Sequence, residues 1–333
     1  MRAAVYRRFG PAAEVLAVEE IETPSPGPGQ VRVRVAVSGV NPTDWKARSG
    51  AVPMPQTTGD GWLQVPHHDG AGVIDAVGAG VDLARVGERV WVILAAFRQP
   101  WGTAAEYTVV PAAHAVRLPD GASYELGANL GVPAVTAHRC LFADGPLEGR
   151  TVLVAGGAGA VGHFAIQLAR AAGATVVSSV SGPEKAKLAE EAGAHHVVNY
   201  REEGAADRIR AVAPDGVDRI VEVALAANLR LDLDVAAPYA SIVTYAAEPA
   251  QPSLPTRELM TRNLLLRFVL LYTVPPEAYA AAGEGITAAI EAGALTPLPT
   301  TAFPLEEAAA AQDAVENGAV GKVVVTVADP DLS

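Results

Sequence analysis

A single cysteine, Cys140, in 333 residues leaves no partner for an internal disulfide. It also excludes a zinc knot built on several thiolates, and such sparing use of cysteine fits a reducing compartment. Basic residues are in short supply: 25 Lys and Arg stand against 37 Asp and Glu, a formal charge of −12. That balance disfavours non-specific binding to nucleic acid. No apolar run reaches bilayer length; the most apolar one, NLLLRFVLLYTV, is too short and contains Arg267. The opening MRAAVYRRFGPAAEV has no apolar core of a secretory leader. A cytoplasmic protein with neither a membrane nor a nucleic-acid partner is expected.

What is present divides into two rhythms. The length suits two domains of ordinary size. In QVRVRVAVSGV, Val31, Val33, Val35 and Val37 fall on one face, with Arg32 and Arg34 on the other, as in a half-buried strand. GAGVIDAVGAGV and GERVWVI are further short apolar runs punctuated by glycine, and TPSPGPGQ is a turn-rich connector. From Thr151 the order becomes strand, glycine turn, helix, strand: Val161, Phe164, Ala165, Leu168 and Ala169 recur at helical spacing, and Gly173 stands where the helix stops. HHVVNY, VDRIVEVA, ASIVTYA and LLLRFVLLY supply four more strands. Strands alternating with helices predict an α/β fold with a doubly wound parallel sheet, beside a β-rich domain. The boundaries drawn are 1–125 for the β-rich domain, with 273–333 returning to it, and 126–272 for the doubly wound domain.

Gly157-Ala158-Gly159-Ala160-Val161-Gly162 matches G-x-G-x-x-G directly after an apolar strand and at the start of a helix, the context that a dinucleotide-binding turn requires. The first glycine is expected to make the tight turn, the second to let the backbone approach a pyrophosphate, and the third to let helix pack on strand. An NAD site carries an acidic residue about 20 residues further on. Here the strand end reads VVSSVSGPEK: Ser178, Ser179 and Ser181 are hydroxyls, Lys185 is a cation, and Tyr200 and Arg201 follow the next strand. Hydroxyls and cations suit a 2′-phosphate, so NADPH is the expected cofactor, with Glu184 the one carboxylate that argues against it.

Taken together, SGVNPTDWKARSG, GAGVIDAVG, GTAAEY, GVPAVTAHRCL, VLVAGGAGAVG, AGAHHVVNYRE, VDRIVEVALAANL and GAVGKVVV resemble the medium-chain dehydrogenase/reductase superfamily, and within it the zinc-free, zeta-crystallin-like NADPH:quinone oxidoreductases. The resemblance implies a GroES-like catalytic domain interrupted by a Rossmann domain, with the active site in the cleft between them. It implies a homodimer through the last Rossmann strand, near LLLRFVLL. By matching position it places the pyrophosphate on Gly159, Ala160 and Val161, and the 2′-phosphate near Ser181, Lys185 and Tyr200. Asn228, Tyr245, Ala246, Ala247, Val269, Leu270 and Leu271 match positions along the cofactor, and Asn41, Thr136 and Lys322 match positions toward the nicotinamide or its phosphate. Two departures stand out: Val52, where relatives often carry an aromatic residue, and the Pro-rich TYAAEPAQPSLP.

The stretch VPHHDGAGVI sets His67, His68 and Asp69 in a row. Zinc-dependent members of the same superfamily resemble this chain here, with a His-Glu pair and two cysteines as ligand positions. On that match the cysteine positions are Asn41 and a residue near Val132. A catalytic zinc needs three protein ligands, so no metal is expected, and His67 is expected to point away from His68 if the segment is extended. His114, His138, His163, His195 and His196 have no partner spaced for acid–base work, and Cys140 lies in an apolar run that suits burial.

Without a metal, catalysis is expected to rest on orientation and on donors aimed at the developing anion. Asn41 supplies an amide N–H, Asp44 orients its loop, and Trp45 offers a flat wall to an aromatic acceptor. Reduction of a quinone is the leading expectation. Saturation of the C=C bond of an enone, alkenal or enoyl thioester is the alternative, with Tyr107 as candidate proton donor, and a non-catalytic NADPH-binding protein is an alternative of another class.

Overall fold

The computed structural model describes residues 1–51, 62–247 and 249–328; Val52 lies outside them. The chain divides into two compact units, Met1–Val132 with Pro299–Ser333, and Pro133–Leu298.

The first unit holds a two-stranded ribbon, β1 (Arg2–Val5) with β2 (Ala17–Glu20), and a seven-stranded sheet. The sheet is built on β3 (Gln30–Val40), β4 (Asp69–Val77), β5 (Arg89–Val92), β6 (Tyr107–Pro111), β7 (Ala115–Arg117), β14 (Thr300–Pro304) and β15 (Lys322–Thr326). Its order is β14-β15-β3-β4-β5-β7, with β6 also paired to β3. The alternation read in β3 holds over its first half: Val31, Val33 and Val35 are buried, and Arg32 turns outward into an ion pair with Asp75 at 2.8 Å. Beyond Val35 both faces are buried: Ser38 Oγ meets His67 and Thr103, and Gly39 lies against the Ala128 carbonyl. β15 pairs with β3 along the same stretch, Val323 opposing Val40 and Thr326 opposing Val37 in an antiparallel ladder. The tail therefore returns to the first unit as β14, the helix Ala308–Glu316 and β15. Val31, Val33, Ile74, Val90, Val92 and Val110 form one core cluster; Val40, Ala104, Leu305, Val323 and Val325 belong to another.

The second unit holds a six-stranded sheet of β8 (Thr151–Ala155), β9 (Thr175–Val180), β10 (His196–Asn199), β11 (Val217–Glu222), β12 (Ala236–Thr244) and β13 (Leu265–Phe268). Every pairing is parallel, in the order β10-β9-β8-β11-β12-β13. This is the doubly wound Rossmann order, and it reverses direction between β8 and β11. Leu153, Val177, Val198, Ile220 and Ile242 join Ile209, Leu229 and Leu233 from the helices in one core. Near-continuous Val/Ile runs with both faces covered are what an all-parallel sheet requires.

Two boundaries fall elsewhere than the sequence suggested. Residues 273–298 stay with the doubly wound unit, because the helix Pro276–Glu291 packs on the helices Val135–Phe142 and Ala160–Ala171. Residues 126–132 belong to the first unit, where the Val132 backbone N–H donates to Asp69 Oδ1 at 2.7 Å. The run LLLRFVLLY is also shorter as a strand than it reads: β13 ends at Phe268, and Leu271–Thr273 form a 3-10 turn.

Candidate active site

In the first unit, the segment read as a loop at NPTDWKARS is a helix, Pro42–Ser49. Asn41 is its N-cap, Pro42 takes the first helical position, and Asp44 Oδ2 accepts the Asn41 backbone N–H at 2.7 Å. Asn, Pro and an acidic third residue are the chemistry of a helix start, so this helix was legible in the sequence. Its effect is to hold Asn41 rigidly, with only 3% of its surface exposed.

Asn41 is the hub of a buried network. Its Nδ2 donates to Asp69 Oδ2 at 2.7 Å, and its Oδ1 accepts from Lys322 Nζ at 2.6 Å. Lys322 Nζ also lies 3.9 Å from Asp69 Oδ2. Asp69 Oδ1 takes the Val132 N–H, an approach open only because Gly131 has no Cβ: one there would lie 2.3 Å from that oxygen. Burial pushes Asp69 up to about 6, although Lys322, Asn41 and the Val132 N–H all favour its ionised form. Asp44 rises to about 8, chiefly from burial and then from the Asp69 charge, against the pull of the Asn41 N–H and of Lys322. Lys322 is lowered by burial while both aspartates hold it up. The three groups thus form one coupled set, a carboxamide between an amine and a carboxyl with Asp44 beside them, in which burial opposes every charge and the opposite charges favour one another.

The histidines next to it are buried and neutral, both lowered to about 3 chiefly by burial. His67 does not sit in an extended segment as expected: its φ is +76, a left-handed conformation costly for a side chain with a Cβ. That turn gives its Nδ1 a 2.9 Å bond with Ser38 Oγ, which in turn meets Thr103 Oγ1 at 2.7 Å. Trp45 is half-buried with the Lys46 ammonium 5.7 Å from its ring centroid. Tyr107 lies under the Arg32 guanidinium at 5.1 Å.

The donor set does not fit a catalytic zinc. Neither Asn41 nor Val132 can supply a thiolate, both Asp69 oxygens are already in hydrogen bonds, and the Lys322 amine lies 3.9 Å from one of them. Among the described residues no group of three His, Cys, Asp or Glu could hold a metal ion. Cys140 is buried elsewhere, in the second unit, with its thiol pushed up to about 12.

In the second unit, parallel strands bring their carboxyl ends to one edge of the sheet, and the residues of that unit expected at the cofactor, other than Thr136, follow those ends. The glycine turn follows β8; Ser181 follows β9; Tyr200 follows β10; Tyr245, Ala246 and Ala247 follow β12; Val269, Leu270 and Leu271 follow β13. Asn228 lies on the helix Leu225–Val235 after β11, and Thr136 is buried on the helix Val135–Phe142. The glycines divide their work differently from expectation. The left-handed residue of the tight turn is Gly156, with φ +71, whereas Gly157 is needed for space: a Cβ there would lie 2.0 Å from Ser178 Oγ. A Cβ on Gly162 would meet Gly156 O at 2.3 Å. Gly159 is the N-cap of the helix Ala160–Ala171, so the N–H groups of Ala160 and Val161 lie in the first turn of the helix, whose N–H groups lack partners within the helix. These residues fit a dinucleotide pyrophosphate.

The hydroxyl set at the end of β9 is smaller than expected. Ser178 and Ser179 are buried under the turn, and Ser178 Oγ donates to Val154 O at 3.2 Å. Ser181 is half-buried, while Lys185, Arg201 and Glu184 are exposed and Tyr200 is 40% exposed. The Tyr200 N–H donates to Val180 O at 3.0 Å, which sets Tyr200 and Ser181 side by side. Of the remaining histidines, His163 bonds Thr296 O at 2.6 Å and His195 Nδ1 accepts the Val176 N–H at 3.0 Å; both are structural contacts.

A GroES-like fold carrying a carboxamide–ammonium network, and a Rossmann fold with a phosphate-binding turn, define an oxidoreductase of the medium-chain type. The chain belongs to the medium-chain dehydrogenase/reductase superfamily, with its quinone oxidoreductase-like members among its relatives. Residues 27–120 match the family described as alcohol dehydrogenase GroES-like domain, and residues 160–287 match the family described as zinc-binding dehydrogenase. The chain is 32% identical to a quinone oxidoreductase of Lama guanicoe, over 98% of this chain and 97% of the relative. It is equally 32% identical to a 2-haloacrylate reductase of a Burkholderia species, over 93% of this chain and 94% of that one. A mycobacterial structure solved with NADPH superposes with a TM-score of 0.83 at 28% identity, over 98% of this chain and all of that one. No helix among the described residues is long and apolar enough to cross a membrane.

Proposed function

We propose that this chain is a zinc-independent, NADPH-dependent reductase that acts best on quinones. The observation that carries the reading is the Asn41–Asp69–Lys322 network, which stands where zinc-dependent members of the superfamily would place their ligands. A bound nicotinamide supplies the hydride. The glycine turn, through Gly157, Gly159, Ala160, Val161 and Gly162, holds the pyrophosphate, and Ser181, Lys185, Tyr200 and Arg201 face the 2′-phosphate. Asn228, Tyr245, Ala246, Ala247 and Val269 to Leu271 line the rest of the cofactor, with Thr136 and Lys322 toward its nicotinamide side. Asn41 spends one amide hydrogen on Asp69 and offers the other to the acceptor oxygen, with the Lys322 charge behind it. A reduced quinone oxygen is a stabilised, phenolate-like anion, so these donors suffice without a Lewis acid. Trp45 gives the acceptor ring a flat wall.

A second reading, reduction of an electron-poor C=C bond, is favoured by the likeness to the 2-haloacrylate reductase. Asp44, protonated at neutral pH, is better placed beside Asn41 than Tyr107 is to supply the proton.

The homodimer belongs to the same reading. The edge strand β13 and the residue pair after it expose Phe268 (67%) and Leu270 (57%), and an apolar sheet edge needs a partner. Light scattering should give twice the chain mass, and Phe268→Asp should return the monomer.

The activity test is NADPH oxidation with a naphthoquinone, a 2-haloacrylate and an enoyl thioester. Fastest turnover of the naphthoquinone is expected. Faster turnover of either C=C substrate would select the second reading, and tight NADPH binding with no oxidation would mark a binding protein.

A further inference from the structure

The helix Pro42–Ser49, which Asn41 opens, is only about two turns long. A helix of that length depends on packing for its stability. Its buried residues are Asp44, which turns back to the Asn41 N–H, Ala47, which is small, and Arg48. Arg48 is the largest of them, and its side chain has no exposed surface. Its guanidinium reaches two other stretches of the first unit. Nε donates to Gln312 Oε1 at 2.7 Å, Nη2 donates to Glu316 Oε2 at 2.6 Å, and Nη1 donates to the Gly10 carbonyl. Gln312 and Glu316 lie one turn apart on the same face of the helix Ala308–Glu316. The Gly10 N–H returns a bond to the Arg48 carbonyl at 3.3 Å. Gln312 is fully buried, and among the described residues its Nε2 has no partner, so the bond from Arg48 sets the direction of its carboxamide.

These contacts repeat a pairing made at the candidate active site. From Glu316 the chain runs through residues 317–321 to Lys322, whose Nζ donates to Asn41 Oδ1 at 2.6 Å. Residues 41–48 and 312–322 are thus joined twice: by Asn41 with Lys322, and by Arg48 with Gln312 and Glu316. The ladder between β3 and β15 fixes the backbone as far as Val40, opposite Val323. Arg48 fixes the far end of the helix that follows, and Asn41 is the N-cap of that helix. A guanidinium is a planar fork that holds three acceptors in one geometry; an ammonium is a point charge on a flexible stem.

We propose that Arg48 is a positioning residue for the reduction: it clamps the helix Pro42–Ser49 to the helix Ala308–Glu316, so that the Asn41 carboxamide stays against Lys322 and aimed at the acceptor oxygen. Arg48 touches neither acceptor nor cofactor in this role and acts through Asn41. The inference rests on the reductase reading above.

The test is a double-mutant cycle on the wild type, Arg48→Lys, Asn41→Ala and the chain carrying both changes. Naphthoquinone turnover is measured at saturating NADPH, and urea unfolding is measured on the same chains. Arg48→Lys keeps the charge beside Glu316 and gives up the fork. Alone it is expected to lower turnover at least about tenfold, within the range that a misplaced group costs. In the Asn41→Ala background the same change is expected to cost no more than about twofold, because the group it positions is already gone. The urea midpoint of the doubly changed chain is expected to shift by less than the two single shifts added, as coupled sites do. Where Arg48→Lys does not fold, Glu316→Ala, at an exposed position, takes its place in the cycle with a smaller loss. Wild-type turnover in Arg48→Lys, or an equal loss in the two backgrounds, would overturn the proposal. If Asn41→Ala falls below detection, the midpoints decide, and additive shifts overturn it. If the wild type reduces no acceptor, the reductase reading fails and the role in turnover falls with it, while the midpoints still show whether Arg48 holds the Asn41–Lys322 bond.

Discussion

Lys322 Nζ donates to Asn41 Oδ1 at 2.6 Å across 281 positions of sequence, and through that amide it reaches Asp69. The bond joins the last strand of the chain to the N-cap of an early helix, and it holds the residue proposed to meet the acceptor oxygen.

Asn41→Ala removes a donor from Asp69 and an acceptor from Lys322, leaving both partners buried and less satisfied. A loss of about 1–3 kcal/mol in urea unfolding is expected. Quinone turnover should fall at least about tenfold, the scale of a lost donor to a developing anion. A variant with wild-type turnover would remove Asn41 from the chemistry.

Lys322→Met leaves the Asp69 carboxylate buried without a cation, which costs about 3–5 kcal/mol at pH 8. Asp69 stands at about 6 with Lys322 beside it and rises further without that cation, so the deficit should already shrink as pH falls toward that value. Adding Asp69→Asn should recover most of the loss at pH 8, and thermal unfolding of the single and double variants at the two pH values checks both statements.

Asp44 is raised in the folded chain to about 8, above its value of roughly 4 when unfolded. Its contribution to stability is therefore fully present below about pH 4 and is lost as pH rises through about 8. Asp44→Asn keeps an acceptor for the Asn41 N–H and removes this dependence. Urea unfolding at pH 6 and pH 9 should show a smaller drop for Asp44→Asn than for the wild type.

Gly157→Ala places a methyl 2.0 Å from Ser178 Oγ and 2.7 Å from Ile166 Cδ1. Overpacking of this kind costs about 1–3 kcal/mol, and dinucleotide affinity should fall with it. Adding Ser178→Ala should recover part of the stability, because it removes the nearer of the two obstacles; calorimetry of both variants reads this out.

Much of the architecture was legible because its causes are local. Valine alternation in β3 and the strand–glycine–helix rhythm at β8 are written in adjacent residues, and so is the asparagine and proline start of the helix Pro42–Ser49, a segment read as a loop. What was not legible depends on distant chain. The second face of late β3 is buried by distant residues, with His67 and Thr103 against Ser38 and Ala128 against Gly39, and Lys322 reveals its partner only once β15 is paired. His67 read as part of an extended run, yet its Ser38 contact goes with a left-handed backbone. Ser178 and Ser179 looked like phosphate ligands from their position after the glycines, but the strand they occupy is fully covered and sends them inward.

The most direct test of the account is zinc content measured alongside NADPH-dependent naphthoquinone reduction, before and after dialysis against a chelator. The account predicts turnover that is unchanged by chelation and unrelated to the zinc found. Activity that disappears with the metal and returns in proportion to added zinc would contradict it.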